Sequence, residues 1–178
     1  MTINDDIYPK KAKMFDDMPI IMYYKGTPTP DVMNQKSVAI VGARRCSRQA
    51  RQTAIDLAVA LSDKGITIVS GMAKGIDSYA QTACLKNEGY TIAVLGNGLD
   101  ICYPTEHEKL MDQIEKNGML LSEYEPGIKP QKVYFPRRNR IIAALSDEII
   151  VVEAKKGSGA LITAQYGENY HRKVIRLM

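Results

Sequence analysis

The sequence is short of the side chains that commonly carry catalysis or cross-linking: among 178 residues only 3 are cysteine and 2 are histidine. Cys46, Cys84 and Cys102 are odd in number and match neither a disulfide framework nor zinc-ligand spacing, so they read as small, buried or half-buried free thiols. His107 and His171 fall in helical stretches away from the glycine-rich turns, with no nucleophile at readable spacing, and read as surface residues. Apolar runs such as Leu57 to Leu61 and Ile141 to Leu145 fall far short of the ~20 residues that cross a bilayer. The start of the chain, Met1-Thr2-Ile3-Asn4-Asp5-Asp6, is acidic and polar where a secretory leader is basic and then apolar, which points to the cytoplasm. Repeats and low-complexity tracts are missing as well.

Acid is missing from two windows. Between Met33 and Ile55 the only charges are Lys36, Arg44, Arg45, Arg48 and Arg51; between Ile128 and Ser146 they are Lys129, Lys132, Arg137, Arg138 and Arg140. Net charge is only +4 at pH 7, so the rest of the chain is net negative and the positive charge is concentrated. Chance clustering on solvated faces accounts for one such window. Two point to an anionic partner, provided the fold brings them together.

What is present describes an ordinary globular domain, 45% hydrophobic and 25% charged. A chain of this length buries about 70% of its unfolded surface without disulfide or metal staples. Short β-branched runs alternate with helical patterns, as in parallel strands joined by crossover helices. The strands are Ser37 to Val41, Thr67 to Ser70, Thr91 to Leu95, Met119 to Ser122, Glu148 to Val152 and Lys173 to Arg176, with apolar centres that suit burial on both faces. Ala50, Ala54, Leu57, Ala58 and Leu61 fall at helical spacing behind Ser47 as N-cap, and Gly65 closes that helix. Further helices are predicted across Ile76 to Asn87, Thr105 to Asn117, Asn139 to Leu145 and Ala160 to Tyr170. The fold class is α/β: a doubly wound, mostly parallel sheet in an extended Rossmann-like three-layer domain over 37–178. Residues 1–36 hold four of the 8 prolines and read as a lead-in arm, in which Ile20 to Tyr24 could add an edge strand.

In such sheets ligands bind beyond the carboxyl ends of the strands. The turns there are Gly42-Ala43-Arg44-Arg45-Cys46-Ser47, Gly71-Met72-Ala73-Lys74-Gly75-Ile76-Asp77, Gly96-Asn97-Gly98-Leu99-Asp100 and, after Glu153, Gly157-Ser158-Gly159. Glycine lets backbone N–H groups approach a phosphate oxygen, although tight strand-to-helix turns use glycine for their own sake. The first turn has one glycine where a dinucleotide fingerprint needs three, the second strand ends in Ser70-Gly71 rather than an acid, and no Walker P-loop occurs, which argues against nicotinamide or Walker-type chemistry. Asp77 and Asp100 either hold a sugar hydroxyl or metal or, more commonly, cap a helix or loop.

Phe135-Pro136-Arg137-Arg138-Asn139-Arg140 leads into the apolar run Ile141 to Leu145. Cations at a helix start oppose the macrodipole, and a phosphate would relieve them. Neutralising Arg137 or Arg140 is then expected to raise stability, unless one of them pairs internally with Glu123 or Glu153. An aromatic beside cations suits single-stranded nucleic acid, with bases stacked and phosphates paired; the alternative is a core phenylalanine and a solvated arginine face.

Taken in order, Val38-Ala-Ile-Val-Gly-Ala-Arg44, Ser70-Gly-Met-Ala-Lys-Gly-Ile-Asp77, Ala93-Val-Leu-Gly-Asn-Gly-Leu-Asp100 with Tyr103-Pro104, Leu121-Ser-Glu123, the run from Phe135 to Ser146, Val151-Val-Glu-Ala154, Ser158-Gly159 and Leu161-Ile-Thr-Ala164 resemble the DprA/Smf family of DNA-processing proteins. The resemblance implies a homodimeric protein that binds single-stranded DNA and helps load the RecA recombinase in natural transformation, without enzymatic activity or cofactor. It implies a DNA pocket of Gly42, Arg44, Gly71, Lys74, Lys132, Phe135, Arg137, Arg138, Asn139 and Arg140, uniting both acid-free windows. Ala43 departs from the usual Ser or Thr, and the chain ends without a winged-helix module. The rival is a nucleotide-ligand protein of the phosphoribohydrolase type, whose PGGxGT loop finds only Lys156-Gly-Ser-Gly-Ala-Leu-Ile162 here.

Overall fold

The computed structural model describes residues 1–177. Its strands are β1 (Tyr23–Gly26), β2 (Ser37–Val41), β3 (Thr67–Ser70), β4 (Thr91–Leu95), β5 (Met119–Ser122), β6 (Glu148–Val151) and β7 (Lys173–Arg176). Helices α1 (Pro30–Asn34), α2 (Arg48–Ser62), α3 (Ile76–Lys86), α4 (Glu108–Asn117), α5 (Tyr134–Leu145) and α6 (Gly159–Asn169) connect them. The strands form one sheet in the order β1-β5-β4-β3-β2-β6-β7, parallel throughout except for β1, which runs antiparallel to β5. This is the doubly wound three-layer architecture that the alternation of β-branched and helical segments predicts.

Side-chain alternation along each strand feeds two separate apolar layers. Val38, Ile40, Ile68 and Ile150 face α2 and α3, where Ala50, Ala54 and Ala58 present a flat small-residue stripe that lets the helices pack close. Ala93, Leu95 and Leu120 face α4. On the opposite side Ala39, Val41, Val69, Val94, Leu121, Ile149 and Val151 meet α5, α6 and residues of the first 34. Those N-terminal residues contribute to the main core: Tyr8, Ala12, Met18, Met22 and Met33 are buried in the same cluster as α5.

Two boundaries differ from the sequence expectation. The edge strand is Tyr23–Gly26 rather than Ile20 to Tyr24; Ile20 and Ile21 are exposed, and Ile21 forms only a single bridge to Thr2. The second difference matters more. Helix α5 begins at Tyr134, not Asn139, because Pro136 is its third residue, where no intrahelical bond is asked of its nitrogen. The arginines therefore start in the second turn instead of crowding the helix start, and the dipole argument loses most of its force.

Arg140 is a structural residue. Its guanidinium makes a bidentate pair with Glu123 at 2.9 and 2.8 Å and donates from Nε to the Asp17 carbonyl at 2.9 Å, with side-chain exposures of only 8% and 5% for Arg140 and Glu123. Burial pulls its pKa down, but hydrogen bonding and charge from Glu123 outweigh that and leave it above the ordinary arginine value. The pair ties α5 to the end of β5 and to the N-terminal segment. Lys11 does the same elsewhere, donating to Asp147 at 2.7 Å and to Ser37 at 2.9 Å.

The stability effect of neutralisation at Arg140 is therefore opposite to that expected of a repelling cation. Arg140→Met should cost up to about 3–5 kcal/mol in urea denaturation, because Glu123 stays buried with only the solvent-exposed Arg137, 3.4 Å away, to offset its charge, while the double variant with Glu123→Leu recovers most of the loss. A single variant as stable as the parent would show that the pair holds nothing.

Candidate nucleic-acid interface

From β2 the chain moves to β3 on one side; from β6 it moves to β7 on the other. The carboxyl ends of β2 and β6, adjacent and parallel, thus mark the point where winding reverses and the following loops diverge. A cleft of about 700 Å³ opens there, walled by Gly42, Ala43 and Arg44 after β2, by Lys155 to Ala160 at the start of α6, and by Lys132, Phe135, Arg138 and Asn139 of α5 and its approach.

Its floor is held by a buried arginine. Arg138, 4% exposed, donates from Nη1 to the Gly71 carbonyl at 2.8 Å and to the Val94 carbonyl, and from Nε to the Asn139 amide oxygen at 3.2 Å. One guanidinium so joins the ends of β3 and β4 to α5. Gly71 is needed for this, since a Cβ there would lie 2.5 Å from Nη2 of Arg138. Burial pushes the Arg138 pKa down to about 10, partly offset by Asp77 and added to by Arg44, so it remains charged at neutral pH. Asp77, the one acid in the cleft wall, accepts the Gly71 N–H at 3.1 Å. Burial raises its pKa against the opposing pull of Arg138 and the hydrogen bonds from Gly71, Ala73 and Ser70. It is a loop cap, and so is Asp100, which accepts the Gly127 N–H at 2.8 Å.

Above this floor stands an aromatic pair. Tyr103, 43% exposed, and Phe135 lie with ring centroids 5.3 Å apart, and the Arg44 guanidinium sits 6.0 Å from the Phe135 centroid. Tyr134 stacks on Tyr124 at 4.2 Å, which fixes the start of α5 against the loop after β5 and so orients Phe135. Cations at the rim are Arg44, Lys132, Lys155 and Lys156, all exposed. Among the described residues no group of three His, Cys, Asp or Glu is placed to hold a metal ion, and the three thiols are free.

Of the residues expected at the site, Gly42, Arg44, Lys132, Phe135, Arg138 and Asn139 line this cleft. Gly71 lies under it, covered by Arg138. Lys74 is exposed outside the cleft wall and paired with Glu106; Arg137 is exposed and 3.4 Å from Glu123; Arg140 is committed to Glu123 and Asp17. Sequence reasoning left out Tyr103, Lys155 and Lys156. The Tyr-Pro pair before a helix and the lysines leading into a glycine turn were the available signals. His107 also differs from expectation: it is half-buried, with Nδ1 3.0 Å from the Met72 carbonyl of the second glycine loop.

A family model described as DNA recombination-mediator protein A matches residues 1–178. The chain is 43% identical over 176 residues to the DNA processing protein DprA of Streptococcus pneumoniae, covering 99% of this chain and 61% of that protein. The pneumococcal structure superposes with a TM-score of 0.92 over the same shares. The DNA processing protein A of Helicobacter pylori, described for its single-stranded DNA binding mode, is 35% identical with a TM-score of 0.90, covering 100% of this chain and 80% of that one. The Bacillus subtilis DprA is 40% identical over 172 residues, 97% of this chain and 58% of its own length. The chain thus spans about three-fifths of the pneumococcal and Bacillus relatives. By the family match and these identities, the chain belongs to the DprA/Smf family of DNA-processing proteins.

Proposed function

We propose that this chain binds single-stranded DNA in the cleft between the β2 and β6 loops, as a non-catalytic DNA-processing protein. The observation that carries this reading is the Phe135–Tyr103 pair set among Arg44, Lys132, Lys155 and Lys156, with the one wall carboxylate, Asp77, already spent on a backbone amide. Unstacked bases have faces to offer the rings, and phosphates have cations within reach. A duplex keeps its base faces stacked and covered, so the ring pair favours a single strand. The single-stranded DNA mode named for the Helicobacter pylori relative supports the same reading. The family resemblance extends it to a homodimer in the cytoplasm that passes the strand to RecA. Among the described residues no helix is long and apolar enough to cross a membrane.

Anisotropy titrations with labelled oligothymidylate and with a duplex of equal length should show tighter binding of the single strand. Its log K should fall linearly with log salt at a slope of roughly −0.7 per phosphate contacted. Equal affinity for the duplex, or a flat salt response, contradicts the reading.

Charge and stacking separate by mutation. Arg44→Ala should weaken binding and shallow the salt slope by roughly 0.7, whereas Phe135→Ala should cost about 1–3 kcal/mol with the slope nearly unchanged. Because the Phe135 ring also packs 3.0 Å from the Cβ position of Gly96, the thermal melt of Phe135→Ala is measured alongside. A variant that is unfolded identifies the ring as core and removes the platform.

A further inference from the structure

We propose that a bound strand extends beyond the cleft into the groove between α2 and α3, where Arg51 and Tyr79 form a second station for single-stranded DNA. The inference deepens the single-strand reading and rests on it.

The first acid-free window supplies the lead, because only Arg44 of its cations reaches the cleft. Of the nine arginines in the chain, Arg137, Arg138, Arg140, Arg172 and Arg176 are each bonded to a carboxylate or a backbone carbonyl. The other four, Arg44, Arg45, Arg48 and Arg51, follow one another along the sequence, are all exposed, and make no ion pair or side-chain hydrogen bond with any described residue. A row of like charges with no counter-charge of its own suits a polyanion. Both ends of the row carry the same device: Arg44 sits 6.0 Å from the Phe135 ring centroid at the cleft, and Arg51 sits over the Tyr79 ring, 4.5 Å from its centroid.

The fold makes the second pair continuous with the first. The Ile76 N–H donates to the Ala43 carbonyl at 3.3 Å, which seats the start of α3 on the turn that carries Arg44. Asp77 then lines the cleft, and Tyr79, two residues on, lines the groove. Helices α2 and α3 follow neighbouring parallel strands and lie side by side, with Arg51 meeting Tyr79 near their starts and Asn87 donating to the Val59 carbonyl at 3.4 Å near their ends. Arg48, Arg51, Ile55 and Val59 fall at the spacing of one helical face. The groove has a volume of about 270 Å³ and no acid in its lining. Acids on the elements around it are engaged: Asp56 accepts from Gln52 at 2.8 Å, Asp63 from Asn87 at 2.8 Å and Glu153 from Ser47 at 2.7 Å. A base entering the groove meets the Tyr79 ring and the Arg51 guanidinium together, and the backbone beside it meets Arg48 and Lys86.

The test is strand length. Parent, Arg51→Ala, the Arg48→Ala/Arg51→Ala double variant and Phe135→Ala are titrated by anisotropy with oligothymidylates of about 4 and about 16 nucleotides, the two ends of the usual range of single-strand site sizes. The longer strand should bind the parent more tightly, and each arginine removed should weaken it about fivefold and lower its salt slope by roughly 0.7. The shorter strand should bind the arginine variants as it binds the parent, while Phe135→Ala weakens both lengths. Because both arginines are exposed, the melting temperatures of their variants should match the parent. With 5-iododeoxyuridine along the longer strand, cross-links should appear on the peptide holding Tyr79 as well as at the cleft. Arginine variants equal to the parent for both lengths overturn the second station and leave the cleft reading intact. A loss as large for the short strand as for the long overturns it too, since it marks a general field and not a continuing path. A double variant that changes the sedimentation mass of the free protein and neither titration identifies the groove as a protein interface, against the proposal. A parent that binds neither strand overturns the single-strand reading itself.

Discussion

The Arg138 guanidinium organises everything around it. It is buried, and among the described residues no carboxylate comes within ion-pair distance; its hydrogen-bond partners are the carbonyls of Gly71 and Val94 and the amide oxygen of Asn139. Such an arrangement is costly, since burial without a bonded counter-charge disfavours the cation, and the lowered Arg138 pKa reflects it. What the arrangement provides is a positive potential fixed at the floor of a cleft, with the strand ends of β3 and β4 locked to α5 at the same time. Arg44, 6.0 Å from the Phe135 centroid, adds to that potential from above. In the proposed complex a phosphate would meet charge that is already positioned, with little side-chain entropy left to lose.

The topology supplies the recess in which this happens. Because winding reverses between β2 and β6, the loops after these neighbouring strands lead away from each other, and the gap is lined by backbone and by whatever α5 presents. Here α5 presents Phe135, Arg138 and Asn139, and the loop after β4 leads on to Tyr103. Acidic residues nearby are engaged elsewhere: Asp77 with Gly71, Asp100 with Gly127, Glu123 with Arg140 and Glu153 with Ser47. Each of these pairings holds a loop or helix end while keeping a carboxylate from competing for the rim cations. The cleft so sets exposed cations beside aromatic surfaces, with the carboxylates around it bonded into the scaffold.

Much of the architecture was legible because parallel strands buried on both faces leave a near-continuous apolar signature, and because Ser47 marks the start of α2 by capping it. The start of α5 was not legible. Pro136 hides three helical residues behind a residue that reads as a break, and the tyrosine stack that fixes this turn joins positions on different elements. The arginines show the same limit more sharply. Arg137, Arg138 and Arg140 are near neighbours of one chemical type, yet one reaches Glu123 from the exposed surface, one is buried under the glycine loops and one is buried in a bidentate pair with Glu123. With the helix read from Asn139, Arg137 and Arg138 lay outside it and had no face assigned; starting at Tyr134 puts all three arginines in the helix, where spacings of one and two residues turn Arg138 to a different face from Arg137 and Arg140. Tyr103, Lys155 and Lys156 were missed for a related reason: their contribution comes from strand ends meeting at the switch point, which no local pattern records.

The most direct test of the account is to ask where a bound strand touches the protein. Oligothymidylate carrying 5-iododeoxyuridine at single positions, irradiated in complex with the parent protein and mapped by peptide mass spectrometry, should cross-link at Phe135 or Tyr103. The yield should fall as salt weakens the complex. Cross-links confined to the α2–α3 face or to the β7 edge, with none on peptides containing Tyr103 or Phe135, would contradict the assignment of the cleft as the DNA site.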